Sequence, residues 1–424
     1  MISPETFTRE QSFPPSLPVI TMMSRSGKKG RTAGAASSKS AEKYFTAVTS
    51  IITVLLFFGT LITLGCVLIF SEKQDFSETQ NRYLAKPPTL SVKNIYNGRF
   101  MSGVADYVSD HFPGHDGWVK ASTAMELAEG KRELGGIYIA GDRLAEKIPA
   151  PDPEKVQRSI DGIRKFIEDT DSDVPVYLLI APTQAEIYKD ELPRFAPNPD
   201  QQSFIEKVYS SLSDVAVTVD VYGSLYANRD EYIYYRTDHH WTTRGAFIAY
   251  TAAGKKMGYT PLTEDSYDIE HAGSGFLGTF YSKSLYSGVK ADILDLWLPV
   301  DGKGNERVEI TSAIGEDPAL HEGMYFREYL DVKDKYSVFF GTNQPLVTVK
   351  TGHPGGRLLI FKDSYAHCFV PFLTAHYSEI TMVDLRYINM SYKDIIDMDR
   401  YDSVLFLYNA STFMSDENLR KLSF

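Results

Sequence analysis

The residues able to do chemistry gather in two short segments. The first is Tyr234-Tyr235-Arg236-Thr237-Asp238-His239-His240-Trp241-Thr242-Thr243-Arg244-Gly245. On an extended segment Asp238 and His240 fall on one side, because strand side chains alternate with period two. The carboxylate then orients one imidazole nitrogen and leaves the other free as a base, while His239 faces the opposite way. The second segment is Phe361-Lys362-Asp363-Ser364-Tyr365-Ala366, where an apolar strand ends and a helix begins. A serine at such a junction stands at the carboxyl edge of a parallel sheet, the usual place for sites in these folds. Helix N-terminal amides beside it favour a developing oxyanion. Asn409 follows the run Leu405-Phe406-Leu407-Tyr408, and Arg386 follows Val383-Asp384-Leu385, so the same rim gains an amide and a guanidinium. The set fits acyl transfer: Ser364 attacks, His240 takes and returns the proton, Asp238 holds the tautomer, and Asn409 with the Ser364 amide stabilises the oxyanion.

Each of these residues also has a plain structural reading. Asp363-Ser364 can be a helix cap, Asp238 and His240 a hydrogen-bonded pair, Arg386 a salt-bridging or solvated side chain, and Asn409 a turn residue. The chemical reading is favoured because all of them fall at expected strand ends of one sheet. Asp238-His239-His240 also matches superficially the motif of metal-dependent DHH phosphodiesterases, with nine histidines available as ligands. Those enzymes need further Asp-bearing strand ends, and Asp171-Ser172-Asp173 precedes a strand instead, so no metal and no cofactor is expected. His367 reads as a packed or capping residue. The loop from Gly273 to Ser284 reads either as a flexible aromatic cover for the site or as ordinary surface.

The elements that must position these groups follow from periodicity. Val156, Ile160, Ile163 and Ile167 lie at helical spacing within 153–169, and the β-branched run 174–180 follows. A helix near 202–212 leads to another strand at 215–220. The same grammar returns in three apolar runs, 357–361, 380–383 and 403–407, whose continuity fits strands buried on both faces. Alternation of this kind predicts an α/β fold with a parallel sheet covered by helices. An apolar helix is expected from Ala246 to about Met257. The region of about 259–350 is Gly- and charge-rich without clear periodicity and reads as an insertion or small β-rich subdomain. No internal repeat or heptad pattern is evident.

Upstream, residues 44–71 carry no charged side chain, long enough to span roughly 30 Å of hydrocarbon as a helix. Arg25, Lys28, Lys29, Arg31, Lys39 and Lys43 precede this run, whereas Glu72, Lys73, Asp75 and Glu78 follow it, which places the N-terminus in the cytoplasm and the rest outside. The length of the run, and its lack of a small-x-small cleavage site, favour an uncleaved anchor over a signal peptide. Residues 1–43 are expected to be a disordered cytoplasmic tail, 44–71 a transmembrane anchor, 72–135 a linker and helical stem broken at Pro113-Gly114, and 136–424 the catalytic domain. With two cysteines, one of them in the anchor, an exported domain is not held by disulfides. The tail carries +4 and the remainder −15, a balance that argues against nucleic acid as a partner.

The tetrad Asp238-His239-His240-Trp241, the Lys362-Asp363-Ser364-Tyr365 turn and Gly341-Thr342-Asn343-Gln344-Pro345 together make the chain resemble the DHHW family and, more distantly, the SGNH-like alginate O-acetyltransferases. The likeness covers most of the chain from about Asn81. It implies a flavodoxin-like SGNH α/β/α sandwich with circularly permuted motif order, in which the Asn409 block and the Ser364 block follow the Asp-x-His element. Lys362 stands where the first block has glycine, Ala410 where aspartate follows the asparagine, and Arg386 near an expected glycine donor. The implied activity is adding or removing acetyl groups on an extracellular polysaccharide, with acetyl supplied by a multi-spanning membrane acyltransferase partner in the transferase case. The alternative is a non-catalytic carbohydrate-binding or assembly protein that uses an aromatic rim of Trp241, Tyr234 and Tyr235. In the enzyme reading, Asn409, Arg386, Trp241 and Tyr235 serve the oxyanion and the substrate.

Overall fold

The computed structural model describes residues 33–77, 79–170, 173–300 and 307–423. The expected disordered tail falls largely on residues 1–32, and Asp171 and Ser172 likewise lie outside the described residues. The chain divides into two units, Met1–Ser71 and Glu72–Phe424.

Among its described residues the first unit is one helix, α1 (Ala33–Phe70). It starts well before the uncharged run, because the alanines, lysines and glutamate of 33–43 are strong helix formers. Its stretch Glu42–Phe70, 29 residues with mean hydropathy 2.6, is long and apolar enough to cross a membrane. Ile51, Leu55 and Phe58 are exposed along it, so it buries no core of its own.

In the second unit, two amphipathic helices, α2 (Arg99–Asp110) and α3 (His115–Ala128), are separated by Pro113 and by Gly114 at φ 72. Pro113 lacks an N–H and Gly114 takes a left-handed conformation, so a continuous helix is interrupted there. A small antiparallel pair follows, β1 (Ile137–Ala140) with β2 (Arg143–Glu146). The helix α4 (Pro153–Asp169) begins where Asp152 accepts from the Glu154 and Lys155 amides, with Pro153 at its first position. Then come β3 (Val176–Ala181), α5 (Gln201–Leu212), the short edge strand β4 (Val217–Thr218) and α6 (Thr243–Met257).

The region 259–350 is not a separate subdomain. It contributes a hairpin, β5 (Tyr267–Phe276) with β6 (Asp292–Pro299), and three further strands, β7 (Arg307–Thr311), β8 (Ala319–Glu322) and β9 (Leu346–Lys350), that join the main sheet. The remaining elements are β10 (Arg357–Lys362), α7 (Ala366–Leu373), β11 (Glu379–Val383), β12 (Ser403–Asn409) and the short α8 (Ala410–Ser415).

The eight-stranded sheet has the order β8-β7-β9-β11-β10-β12-β3-β4. Neighbours from β11 to β4 are parallel, whereas β9, β7 and β8 add antiparallel strands at one end. The sheet is therefore mixed rather than wholly parallel. Along its central strands, alternate residues enter two different cores. Leu358, Ile360, Leu405 and Leu407 pack with α6 and α7 on one face, while Leu359, Phe361, Val404 and Phe406 pack with α4 and α5 on the other. Helices on both faces leave the carboxyl ends of the parallel strands as the open edge.

Candidate active site

Register brings the candidate residues to that edge. Phe361 is level with Val383, Lys362 with Leu407, and Asn409 with Ala181. The turns after these strands therefore line up in the order Arg386, Ser364, Asn409, Gln184, with neighbouring strands about 4.8 Å apart.

Ser364 sits between β10 and α7 in a turn fixed by Asp363. One Asp363 carboxylate oxygen accepts from the Tyr365 amide at 2.9 Å; the other accepts from the Asn409 backbone and side-chain amides at 2.7 and 2.8 Å. Burial pushes the Asp363 carboxyl above its ordinary value. The Ser364 side chain stays partly exposed at the edge.

Asp238, His240 and Ser364 are joined in series. His240 Nδ1 lies 2.6 Å from Asp238 Oδ1, and His240 Nε2 lies 2.7 Å from Ser364 Oγ. With Asp238 accepting from Nδ1–H, Nε2 is left to accept from the serine hydroxyl. Residues 236–240 are not extended, as sequence periodicity implied. They form a tight loop closed by an antiparallel bridge between Tyr234 and Trp241. Within it Asp238 Oδ1 also accepts from the His240 backbone amide at 3.1 Å, so an Asx-type turn, not strand alternation, puts the two side chains together. His239 accordingly does not face away: its ring centroid is 3.8 Å from that of His240.

Burial would raise the Asp238 carboxyl, but the His239 and His240 rings, the His240 hydrogen bond and the Thr279 amide hold it well below the ordinary carboxylate range. Burial, reinforced by His239 and opposed by Asp238, lowers His240 to about 4. At neutral pH the pair is thus a carboxylate beside a neutral imidazole, the state a general base requires.

Two contacts hold the separate segments together on either side of this series. The Trp241 indole donates to the Tyr365 carbonyl oxygen at 3.0 Å, and the Tyr365 hydroxyl donates to the His239 carbonyl oxygen. Trp241 and Tyr235 are both fully buried, as is Tyr234, so none presents a face to a sugar ring. The aromatic rim expected there is core: Trp241 stacks on Phe369 of α7, Tyr235 meets Phe276 of the hairpin edge-on, and Tyr234 meets Tyr188 edge-on.

Asn409 and Arg386 do reach the rim, with partners. Asn409 caps α8 by accepting from the Thr412 amide, and its NH2 group donates to Asp363 Oδ2 and Thr412 Oγ1. Both its side-chain donors are thereby engaged, one in holding the serine turn and one within α8. Arg386 donates through Nε and Nη2 to the buried Asp384, while its side chain remains 34% exposed. Lys362, in the position of the first-block glycine, is wholly buried. Its Nζ donates to His367 Nε2 at 2.7 Å and lies 3.3 Å from Asp384, and burial lowers its pKa. His367 is thus a buried acceptor rather than a second base.

Of three further supports, Tyr336 and Asp292 had no signal in the sequence, and Gly278 fell within the segment read as a cover or as ordinary surface. Tyr336 stacks on His240 with centroids 3.6 Å apart and planes 7° from parallel, and its hydroxyl donates to the Ser364 carbonyl oxygen. Asp292, fully buried, accepts from the Arg236 and Thr237 amides and so anchors the loop that carries Asp238. Gly278 packs so closely on Asp238 that a Cβ there would collide with the carboxylate, and the next residue, Thr279, donates its amide to Asp238 Oδ2 at 2.8 Å. The 273–284 segment therefore buttresses Asp238, with Phe280 buried, rather than forming a loose cover.

Asp238, His239 and His240 bring potential metal-ligating atoms within 4.8 Å of one another. In this arrangement Asp238 Oδ1 and both His240 ring nitrogens already serve the series to Ser364.

A family model described as DHHW protein matches residues 131–383. Among solved structures, a DHHW family protein from Eubacterium siraeum has a TM-score of 0.58 at 24% identity, over 68% of this chain and 95% of that one. Bacillus cereus PatB1, solved with a sulfonyl adduct, has a TM-score of 0.55 at 19% identity, over 66% of this chain and 96% of its own. The O-acetyltransferase domain of Pseudomonas putida AlgJ has a TM-score of 0.40 at 13% identity, over 66% and 93% respectively. No curated protein matches the sequence. At such identities the first two likenesses show a shared fold.

Proposed function

The chain belongs to the DHHW family, and on that premise we propose that it is a membrane-anchored serine O-acetyltransferase or acetylesterase acting on hydroxyls of a cell-surface or exopolysaccharide glycan. The observation that carries this reading is the unbroken series Ser364 Oγ, His240 Nε2, His240 Nδ1, Asp238 Oδ1, at 2.7 and 2.6 Å.

In the proposed reaction Ser364 Oγ attacks the carbonyl carbon of an acetyl ester while His240 Nε2 takes the hydroxyl proton. Asp238 stabilises the imidazolium so formed and keeps the ring in one tautomer. The oxyanion is held by the Ser364 backbone N–H, which has no acceptor among the described residues. Collapse breaks the ester C–O bond, and His240 returns the proton to the departing alcohol, leaving acetyl-Ser364. A glycan hydroxyl, or water, then attacks this ester as His240 removes its proton, and Ser364 leaves with that proton. Asn409 acts through Asp363 by fixing the serine turn, and Arg386 lends positive potential to the same edge.

The apolar stretch Glu42–Phe70, with basic residues before it and acidic residues soon after, supports a single-pass anchor with its N-terminus in the cytoplasm and the site outside. A transferase there requires acetyl delivered across the membrane, a task for a multi-spanning acyltransferase partner. The domain division at about residues 72 and 136 follows the same reading.

The test is to incubate the full chain in detergent micelles with p-nitrophenyl acetate, quench, and map acetylated peptides by mass. Acetyl on Ser364, absent in Ser364→Ala, is expected. An unmodified Ser364 together with no ester turnover rejects the proposal.

A further inference from the structure

Between Thr79 and Glu133 no residue is buried, although the stretch includes the two helices α2 and α3. The start of this stretch is nevertheless held in one shape. Arg82 pairs with Asp110 at the end of α2, the Ala85 amide donates to the same carboxylate, and Pro88 packs so closely on Gly103 that a Cβ there would collide with its ring. Val92–Tyr96 forms a helical turn capped by Ser91, which accepts from the Asn94 amide. Val92, Ile95 and Tyr96 stand at i, i+3 and i+4, on one face of that turn, and are 86%, 56% and 95% exposed. Leu90 beside them is exposed as well.

Charge and reach identify what covers this apolar face. From Thr79 to Ala105 the chain has no acidic residue and four basic ones, Arg82, Lys86, Lys93 and Arg99, whereas everything after the tail sums to −15. Of the four, only Arg82 makes an ion pair among the described residues. Three unpaired cations beside an apolar turn match a surface of phosphates over hydrocarbon, which is the interface of a lipid bilayer. The segment is also tethered next to the apolar helix. Tyr83 pairs with Phe76, six residues past the end of α1, and six residues of chain extend at most about 20 Å.

We propose that residues 86–99 lie on the outer leaflet of the membrane that α1 crosses, with Val92, Ile95 and Tyr96 in the interfacial zone and Lys86, Lys93 and Arg99 on the phosphates of anionic lipids. Tyrosine suits that zone because its ring is apolar while its hydroxyl stays in water. A second attachment beside the anchor restricts the tumbling of the unit that carries Ser364. This inference rests on the single-pass anchor and is independent of the chemistry at Ser364.

The test uses the full chain with Cys66→Ala, which retains only the buried Cys368, so that Tyr96→Cys takes a single NBD fluorophore. The labelled protein is placed, one chain per disc, in nanodiscs of phosphatidylcholine with and without phosphatidylglycerol, and its co-elution with the discs is read alongside. In the discs with phosphatidylglycerol, doxyl-labelled lipid is expected to quench the fluorophore at least twofold more than in phosphatidylcholine alone, and aqueous iodide to quench it little. Adding Lys86→Glu, Lys93→Glu and Arg99→Glu is expected to halve the lipid quenching or more, with co-elution unchanged. Equal lipid quenching before and after these reversals, or quenching by iodide with none by doxyl lipid, overturns the inference while the anchor stands. A fluorophore shielded from iodide yet beyond the reach of doxyl lipid overturns it as well, since the chain itself then covers the face. Protein that does not enter the discs overturns the anchor and the inference with it.

Discussion

The Trp241 indole N–H and the Tyr365 carbonyl oxygen, 124 residues apart in the chain, meet at 3.0 Å beside the contact between His240 and Ser364. This bond, with the reciprocal one from the Tyr365 hydroxyl to the His239 carbonyl, fixes the loop of Asp238 and His240 to the Ser364 turn. Trp241→Phe keeps the ring packing on Phe369 but removes the N–H that the Tyr365 carbonyl oxygen accepts. A stability loss of about 1–3 kcal/mol is expected from denaturant titration. Ester turnover is expected to fall by more than the unfolded fraction explains, because the imidazole loses a constraint on its distance to Ser364.

Gly278 tests the support of the acid independently. Gly278→Ala places a methyl group 2.4 Å from both Cβ and Oδ2 of Asp238, closer than a methyl carbon can approach. The carboxylate must move, and displacement of a catalytic group by about 1 Å typically costs roughly 100-fold in rate. A fall of that order in kcat for p-nitrophenyl acetate, with KM nearly unchanged, is expected. Wild-type kcat in this variant would remove Asp238 from the mechanism.

The strands that carry Ser364 and Asn409 were legible in the sequence because 357–361 and 403–407 are short continuous apolar runs, which fit a strand covered on both faces. Their register then dictates that residues just past their ends share an edge. The pairing of Asp238 with His240 was inferred at the right spacing for the wrong reason, since a side-chain-capped loop can imitate strand alternation over two residues. The burial of Trp241 and Tyr235 was not legible. An aromatic ring next to polar residues fits a rim or a core equally well until the packing partner is known. Tyr336 and Gly278 lie in the aperiodic region 259–350, and their roles depend on contacts with distant residues that no local pattern encodes.

The Asp-His-His cluster invites a metal test with a definite outcome. In the proposed reaction Asp238 Oδ1 and both His240 nitrogens are committed to proton transfer. Activity is therefore expected to survive prolonged dialysis against EDTA and to gain nothing from added zinc or manganese. Loss on chelation with recovery on metal addition would replace the serine mechanism by a hydrolytic metal centre.

The pH profile follows from the sign of the His240 shift. Only the neutral imidazole can take the Ser364 proton, and burial together with His239 lowers the pKa of His240 from 6.5 to about 4. Asp238 is ionised throughout this range. kcat/KM for an uncharged ester should therefore be half-maximal near pH 4 and level from about pH 5 to neutrality, falling only as acid protonates Nε2. His239→Ala removes an influence that lowers His240, so its acid limb should move to higher pH. Asp238→Asn removes one that raises it, so its limb should move to lower pH while the plateau falls, for loss of the tautomer-fixing carboxylate. An acid limb near 6.5 in the unmodified protein would mean that the base is solvated as it works, contrary to its burial between Tyr336 and His239.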